Sequence, residues 1–227
     1  MDGVREIREK FARHYQWQNF KEDKSGCKML ELIGSSFIAD APAIFGEPNE
    51  DYIRREIEWY ESQSLDVGDI PGETPAIWNQ ISDAYGIVNS NYGYLIYSER
   101  NGYQYKNVLE TLRQNPDTRQ ATMVYNRPSI HTDAYLRGRS DFICTNAVNY
   151  FIRNGKLYAV VQMRSNDVIF GYRNDYAWQK YTLDNLVEEL RYDSIDVTAG
   201  EITWQAASLH IYERHFKYVE KYLARHA

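Results

Sequence analysis

The chain has 227 residues, enough for one sizeable core, and its 43% hydrophobic and 26% charged content is ordinary for a soluble globular protein. A formal charge of −6 excludes a general nucleic-acid surface, which needs a basic stripe, but not a nucleotide pocket built from a few local arginines. No apolar run approaches the roughly 20 residues of a membrane span, and the start Met1-Asp2-Gly3-Val4-Arg5-Glu6 carries no signal-peptide core. Two cysteines in unlike surroundings make no disulfide framework and point to a reducing compartment, with the cytoplasm as the expected location. The 20 tyrosines imply amphipathic core edges and a substantial interface. One domain over residues 1–227 is expected, with no internal repeat or linker.

In chain order, residues 2–20 read as a helix, because Val4, Ile7, Phe11 and Tyr15 recur at helical spacing. Asp23-Lys24-Ser25-Gly26 is a polar turn before a strand over residues 29–33. Residues 49–62 read as a helix with Ile53, Glu56, Ile57 and Tyr60 on one face. A carboxylate within that stripe needs a partner or must hold water; Arg54 or Arg55 is the plain candidate partner. Ile70-Pro71-Gly72-Glu73-Thr74-Pro75 is turn punctuation before a short helix carrying Trp78. Residues 104–114 form a helix stopped by Asn115-Pro116. Two strands, residues 142–153 and 156–164, meet at Asn154-Gly155, a strong hairpin signal. Cys144, in the first, reads by composition as a core residue. Arg164 shares a face with Tyr158, Val160 and Gln162, and a buried arginine there requires an anion. A dense polar loop follows, then a helix from about Tyr176 to Arg191. The strand over residues 201–212 puts His210 and Tyr212 on one face, and a last helix ends the chain. Strand, Gly-containing polar loop and helix start together form a common way to present amides and fixed side chains to an anionic ligand.

The run Arg164-Ser165-Asn166-Asp167-Val168-Ile169-Phe170-Gly171 resembles the nucleotide-binding R-S-x-D-V-x-x-G segment of the thymidylate synthases. That segment continues to an asparagine that reads uracil; here the position is Asp175, which resembles the deoxycytidylate hydroxymethylase branch of the family. Other motifs follow in the family's order. Lys24 stands where a turn arginine binds the substrate phosphate, and Glu56 where a glutamate orders catalytic water. Trp78 matches a residue that packs on the folate, and Tyr92 the tyrosine beside the nucleophile. Asn115-Pro116-Asp117-Thr118-Arg119-Gln120 resembles D-P-D-S-R-R, whose arginines cross a dimer interface; Arg119 is kept and Gln120 is not an arginine. Ile143-Cys144-Thr145 replaces P-C-H, and His210 with Tyr212 resembles the pair that binds the sugar hydroxyl.

The resemblance implies an α/β (α+β) thymidylate synthase-like fold, a mixed sheet flanked by helices, and a homodimer formed through the sheet. It implies substrate contacts from Lys24, Tyr92, Arg119, Arg164, Ser165, Asn166, Asp175, His210 and Tyr212. Glu56, Trp78, Asp167 and Gly171 would contact 5,10-methylenetetrahydrofolate; no metal ligand set is visible. Cys144 would add to carbon 6 of the pyrimidine, and carbon 5 would then take the one-carbon unit. Arg164 is expected to lower the pKa of Cys144. Glu56 would hold the water that gives a hydroxymethyl product, and Asp175 would select dCMP by accepting from the 4-amino group and sharing a proton with N3. Arg173 is the plain ion-pair alternative for Asp175. The rival readings are a dUMP enzyme, a CMP hydroxymethylase and an inactive nucleotide- or RNA-binding relative. The chain stops soon after His215, where the family leads one to expect a closing segment, and an enzyme that uses water as a reactant is expected to tolerate a shorter lid.

Overall fold

The computed structural model describes residues 1–22 and 26–226. Strands β1 (Lys21–Glu22), β2 (Lys28–Ile38), β3 (Thr122–Val124), β4 (Thr145–Arg153), β5 (Lys156–Met163), β6 (Asn166–Asp167) and β7 (Thr198–Tyr212) form one sheet. Its order is β1-β2-β7-β5-β4-β3, with β6 beside β7. β5 and β6 both run parallel to β7, while the other pairs are antiparallel, so the sheet is mixed as expected. The helices are α1 (Val4–Gln16), α2 (Glu50–Ser62), α3 (Ala76–Ile81), α4 (Tyr92–Tyr97), α5 (Gln104–Gln114), α6 (Ile130–Asp133), α7 (Gly171–Tyr192) and α8 (Lys217–His226).

One sheet face carries Val148, Tyr150, Leu157, Val161, Met163, Ile202, Trp204 and Ala206, all buried, and α7 packs on β5 and β7. The alternate positions Phe151, Tyr158, Val160, Gln162, Thr203 and Gln205 are half-buried. Period-two alternation of this kind follows from the pleat. The β4–β5 hairpin turns through Asn154 (φ 51) and Gly155 (φ 70), the paired positive angles that Asn-Gly tolerates.

Three elements differ from the sequence reading in ways that matter for the site. β4 begins at Thr145, so Cys144 precedes the strand, next to a register irregularity between Thr145 and Ala147. β5 ends at Met163, and Arg164-Ser165 form a bend before the short β6 resumes beside β7. α7 begins at Gly171 rather than about Tyr176. Asp167 causes this early start: its Oδ1 accepts from the amides of Ile169 (2.9 Å), Phe170 (2.7 Å) and Gly171 (3.4 Å). A side-chain acceptor at that point satisfies helix-start donors that have no intrahelical partner. The amides expected to face a ligand are therefore occupied by the protein itself.

Helix α4 approaches α2 closely at Gly93. A Cβ there would stand 1.8 Å from the Tyr60 carbonyl oxygen, so only glycine fits. Asn91, fully buried, donates to the carbonyls of Trp59 and Ser64 at 2.8 Å each and caps α4 through Tyr94 N at 2.7 Å. These contacts bring Tyr60 and Tyr92 into stacking, with ring centroids 5.3 Å apart.

Candidate active site

Cys144 and Arg164 meet where β4 starts and β5 ends. The Arg164 amide donates to the Cys144 carbonyl at 2.9 Å. Its guanidinium reaches back to hold the preceding segment: Nε donates to Ile143 O at 2.9 Å, Nη2 to Phe142 O, and the group lies 4.6 Å over the Phe142 ring. Nη2 also stands 3.7 Å from Cys144 Sγ, while Nη1 donates to no described residue. Arg164 is thus half-buried and clamps the cysteine loop through carbonyls, rather than meeting a buried anion.

Burial pushes the Cys144 thiol up to about 11. Arg164 pulls it down, as the sequence reading expects, but Asp175 and Asp141 push the other way and desolvation dominates. Arg164 thus acts in the expected direction, and burial outweighs it.

Glu56 projects from α2 and is 4% exposed. Arg54 pairs with Asp51 and Glu58, and Arg55 with Asp51 and the carbonyls of Pro71 and Glu73, so neither arginine is the partner of Glu56. Instead Tyr52 Oη donates to Glu56 Oε1 at 2.5 Å, and Trp78 Nε1 donates to Tyr52 Oη at 2.7 Å. Burial raises Glu56 to about 7 despite these donors.

Asp175 lies in the early turns of α7 and is half-buried. Its Oδ2 accepts from Asn166 Nδ2 at 2.7 Å, and Asn166 Oδ1 accepts from Trp204 Nε1 at 3.2 Å. An indole only donates, which fixes the Asn166 amide with its nitrogen toward Asp175. Burial first, then the charge of Glu56, raise Asp175 to about 8; hydrogen bonds from Tyr92 and Asn166 partly oppose this. Arg173 is engaged elsewhere, donating to Ile169 O and Glu47 O, so it is not the ion-pair partner of Asp175.

Tyr92, 4% exposed, completes the cluster: Thr145 Oγ1 donates to its hydroxyl at 3.0 Å, and both Asp175 and Cys144 act on its titration. His210 is buried and held neutral by desolvation; it lies against Tyr212 (centroids 5.1 Å) and near Ser208 Oγ (3.4 Å). Ser165 is half-buried, and its hydroxyl donates to no described residue.

Asp167 Oδ2 receives no hydrogen bond from a described residue and is the oxygen left for a ligand. Gly171 makes room for Asn166: a Cβ there would stand 3.3 Å from Asn166 Nδ2. Trp78 is 8% exposed, packs edge-on against Trp59 (5.1 Å) and spends its N–H on Tyr52. Arg119 is exposed and makes no hydrogen bond or ion pair with these groups, while Lys24 lies outside the described residues. Among the described residues no group of three His, Cys, Asp or Glu is placed to hold a metal.

Tyr52, Tyr60, Thr145, Trp204 and Asp141 are not singled out as site residues by the sequence reading. Asp141 is 4% exposed and accepts from Asn89 N (2.5 Å), Ser90 N (2.8 Å) and Ser90 Oγ (2.6 Å), tying the Tyr92 loop to the Cys144 segment. A groove of about 510 Å³ between α2 and Tyr181 lies elsewhere and is lined by none of these groups.

The family's sequence model, described as thymidylate synthase, matches residues 49–227. The chain belongs to the thymidylate synthase family. It is 54% identical to the deoxycytidylate 5-hydroxymethyltransferase of Enterobacteria phage T4, over 96% of this chain and 89% of that protein. The protein of the same name from phage T6 is 53% identical over the same shares. A putative thymidylate synthase of Methanocaldococcus jannaschii is 32% identical over 56% of this chain and 55% of that one.

Proposed function

We propose that the chain is a phage deoxycytidylate 5-hydroxymethyltransferase, converting dCMP to 5-hydroxymethyl-dCMP for modified phage DNA in the infected cell's cytoplasm. The observation that carries this reading is Asp175: a largely buried carboxyl with a pKa near 8, fixed on one oxygen by Asn166. At neutral pH it holds a proton, so it accepts from the 4-amino group of cytosine and donates toward N3, a pattern that uracil cannot match. The name shared by the phage relatives agrees with it.

Cys144 gives up its thiol proton to solvent and Sγ bonds to carbon 6; the displaced π pair shifts through carbon 4 onto N3, which takes the Asp175 proton and leaves carbon 5 an enamine nucleophile. Arg164 Nη1 and Ser165 remain for the phosphate, with Lys24 and a partner's Arg119 as further cations; His210 and Tyr212 face the sugar. When bound, 5,10-methylenetetrahydrofolate supplies the one-carbon unit; Trp78, Asp167 and Gly171 would hold it. The free Oδ2 of Asp167 fits an amino-bearing pterin. Carbon 5 then gives up its proton to solvent and tetrahydrofolate leaves with the bond pair on its nitrogen; Glu56 holds a water and takes its proton as the oxygen joins the freed carbon. Carbon 6 then releases Cys144. We further propose that the chain works as one catalytic unit and pairs with a second copy through the half-buried sheet face of Phe151, Tyr158 and Val160.

The test is purified protein with methylenetetrahydrofolate and dCMP, dUMP or CMP, read by nucleotide mass. A gain of CH₂O on dCMP alone is expected. A gain of CH₂ on dUMP, product from CMP, or tight nucleotide binding with no product would replace this reading with a synthase, a ribonucleotide enzyme or a binding protein.

A further inference from the structure

Glu56 is faced by Tyr52 and Tyr60 of its own helix, by Trp78 of α3 and by Asp175 of α7. Within this surrounding the direction of one hydrogen-bond chain is forced. Trp78 Nε1 can only donate, and it donates to Tyr52 Oη at 2.7 Å. The single phenol proton of Tyr52 then goes to Glu56 Oε1, 2.5 Å away. Tyr52 is the donor placed on Glu56 Oε1, and Trp78 adds to it in holding the Glu56 titration down. Oε2 is the carboxylate oxygen on which no donor is placed.

We propose that Tyr52 is a positioning residue for the water-adding step: with Trp78 behind it, it reserves Glu56 Oε1 as a permanent acceptor and leaves Oε2 as the oxygen that binds water and takes up its proton. This rests on the hydroxymethyltransferase reading, but its geometry does not depend on the substrate. A carboxylate with both oxygens alike would rotate between two orientations and present its basic lone pair only part of the time. Holding one oxygen prevents that rotation and keeps the second aimed at the reacting carbon, a gain in orientation rather than in basicity. Tyr52 stands four residues before Glu56, so α2 itself sets their distance, and Asn49, capping Tyr52 N at 3.1 Å, fixes the turn that carries the phenol.

Two substitutions of opposite sign test this. Tyr52→Phe removes the donor and should raise the Glu56 pKa by roughly one pH unit, the effect of losing one hydrogen bond to a carboxylate. Incorporating 3-fluorotyrosine at 52 keeps the shape, makes the phenol a stronger donor and should lower it. The readouts are carboxyl ¹³C NMR of Glu56 in the whole protein, and the pH profile of kcat with dCMP. Turnover of Tyr52→Phe should fall about tenfold at neutral pH, with KM for dCMP nearly unchanged. If neither substitution moves the Glu56 titration in a protein that keeps its wild-type Tm, the proposal is wrong; should Tyr52→Phe fail to fold, the fluorotyrosine arm decides alone. Absence of product with dCMP in the wild type would sink the substrate reading, while the NMR titration would still decide the role of Tyr52.

Discussion

Two relays of like construction end on the two acids of the cleft. Trp78 donates to Tyr52, which donates to Glu56; Trp204 donates to Asn166, which donates to Asp175. In both, a donor-only indole sets the direction, and the middle member of the relay donates to one carboxyl oxygen. They differ in where they are anchored and in charge. The Glu56 relay is built from α2 and α3, with a phenol as its middle member; the Asp175 relay ties α7 to β6 and β7 through an amide. Glu56 sits near 7, and its charge helps to push Asp175 to about 8. Burial lifts both above the ordinary carboxylate range, and the Glu56 charge adds to the rise at Asp175. Two acids of different chemical use are thus tuned from the same functional group by their surroundings, not by residue type.

Exchanging Asp175 for asparagine breaks the comparison most severely. Asp175→Asn removes the proton shared with N3 and restores a uracil-matching amide, so the ratio of kcat/KM for dCMP over dUMP should fall by at least roughly 100-fold. An unchanged ratio, measured by competition of the two nucleotides, would remove Asp175 as the discriminator.

Loss of the other acid should act on rate rather than on base choice. Glu56→Gln is expected to reduce hydroxymethyl product formation by about 100-fold, the range of a general base, with dCMP still preferred. The same change removes the charge that holds Asp175 up, so the alkaline limb of the pH profile should move to lower pH. An alkaline limb that stays in place would mean that the two acids are not coupled.

The smallest expected effect is on stability. Both acids hold protons in the folded chain that an unfolded chain would release in the ordinary carboxylate range. The stability they contribute is therefore complete below that range and is lost as pH rises toward about 7 for Glu56 and about 8 for Asp175. Glu56→Gln and Asp175→Asn should raise Tm over wild type by a few degrees at about pH 8 and less at about pH 5. Equal differences at both pH values would argue against buried titration.

Much of this was legible in the sequence where a local pattern carries it. The Asn154-Gly155 hairpin, the helix ending before Pro116 and the placing of Glu56 on an apolar stripe all follow from neighbours in the chain. Tyr52 was within reach too, one turn from Glu56 on the same face, but a tyrosine on such a stripe reads as core. The start of α7 was not legible, because Asp167 reads as a loop residue until its carboxylate is seen capping three amides. The lowering effect of Arg164 on Cys144 was legible, but not the burial under distant elements, nor the charges of Asp175 and Asp141, that outweigh it. Trp204 and Thr145 act on the site across the sheet, at separations where no periodicity reports contact.

The elevation of both acids is the centre of this account, and carboxyl ¹³C NMR of the wild-type protein measures it directly. Glu56 should titrate near 7 and Asp175 near 8, both well above the ordinary carboxylate range. Two carboxyls titrating near 4 would contradict it.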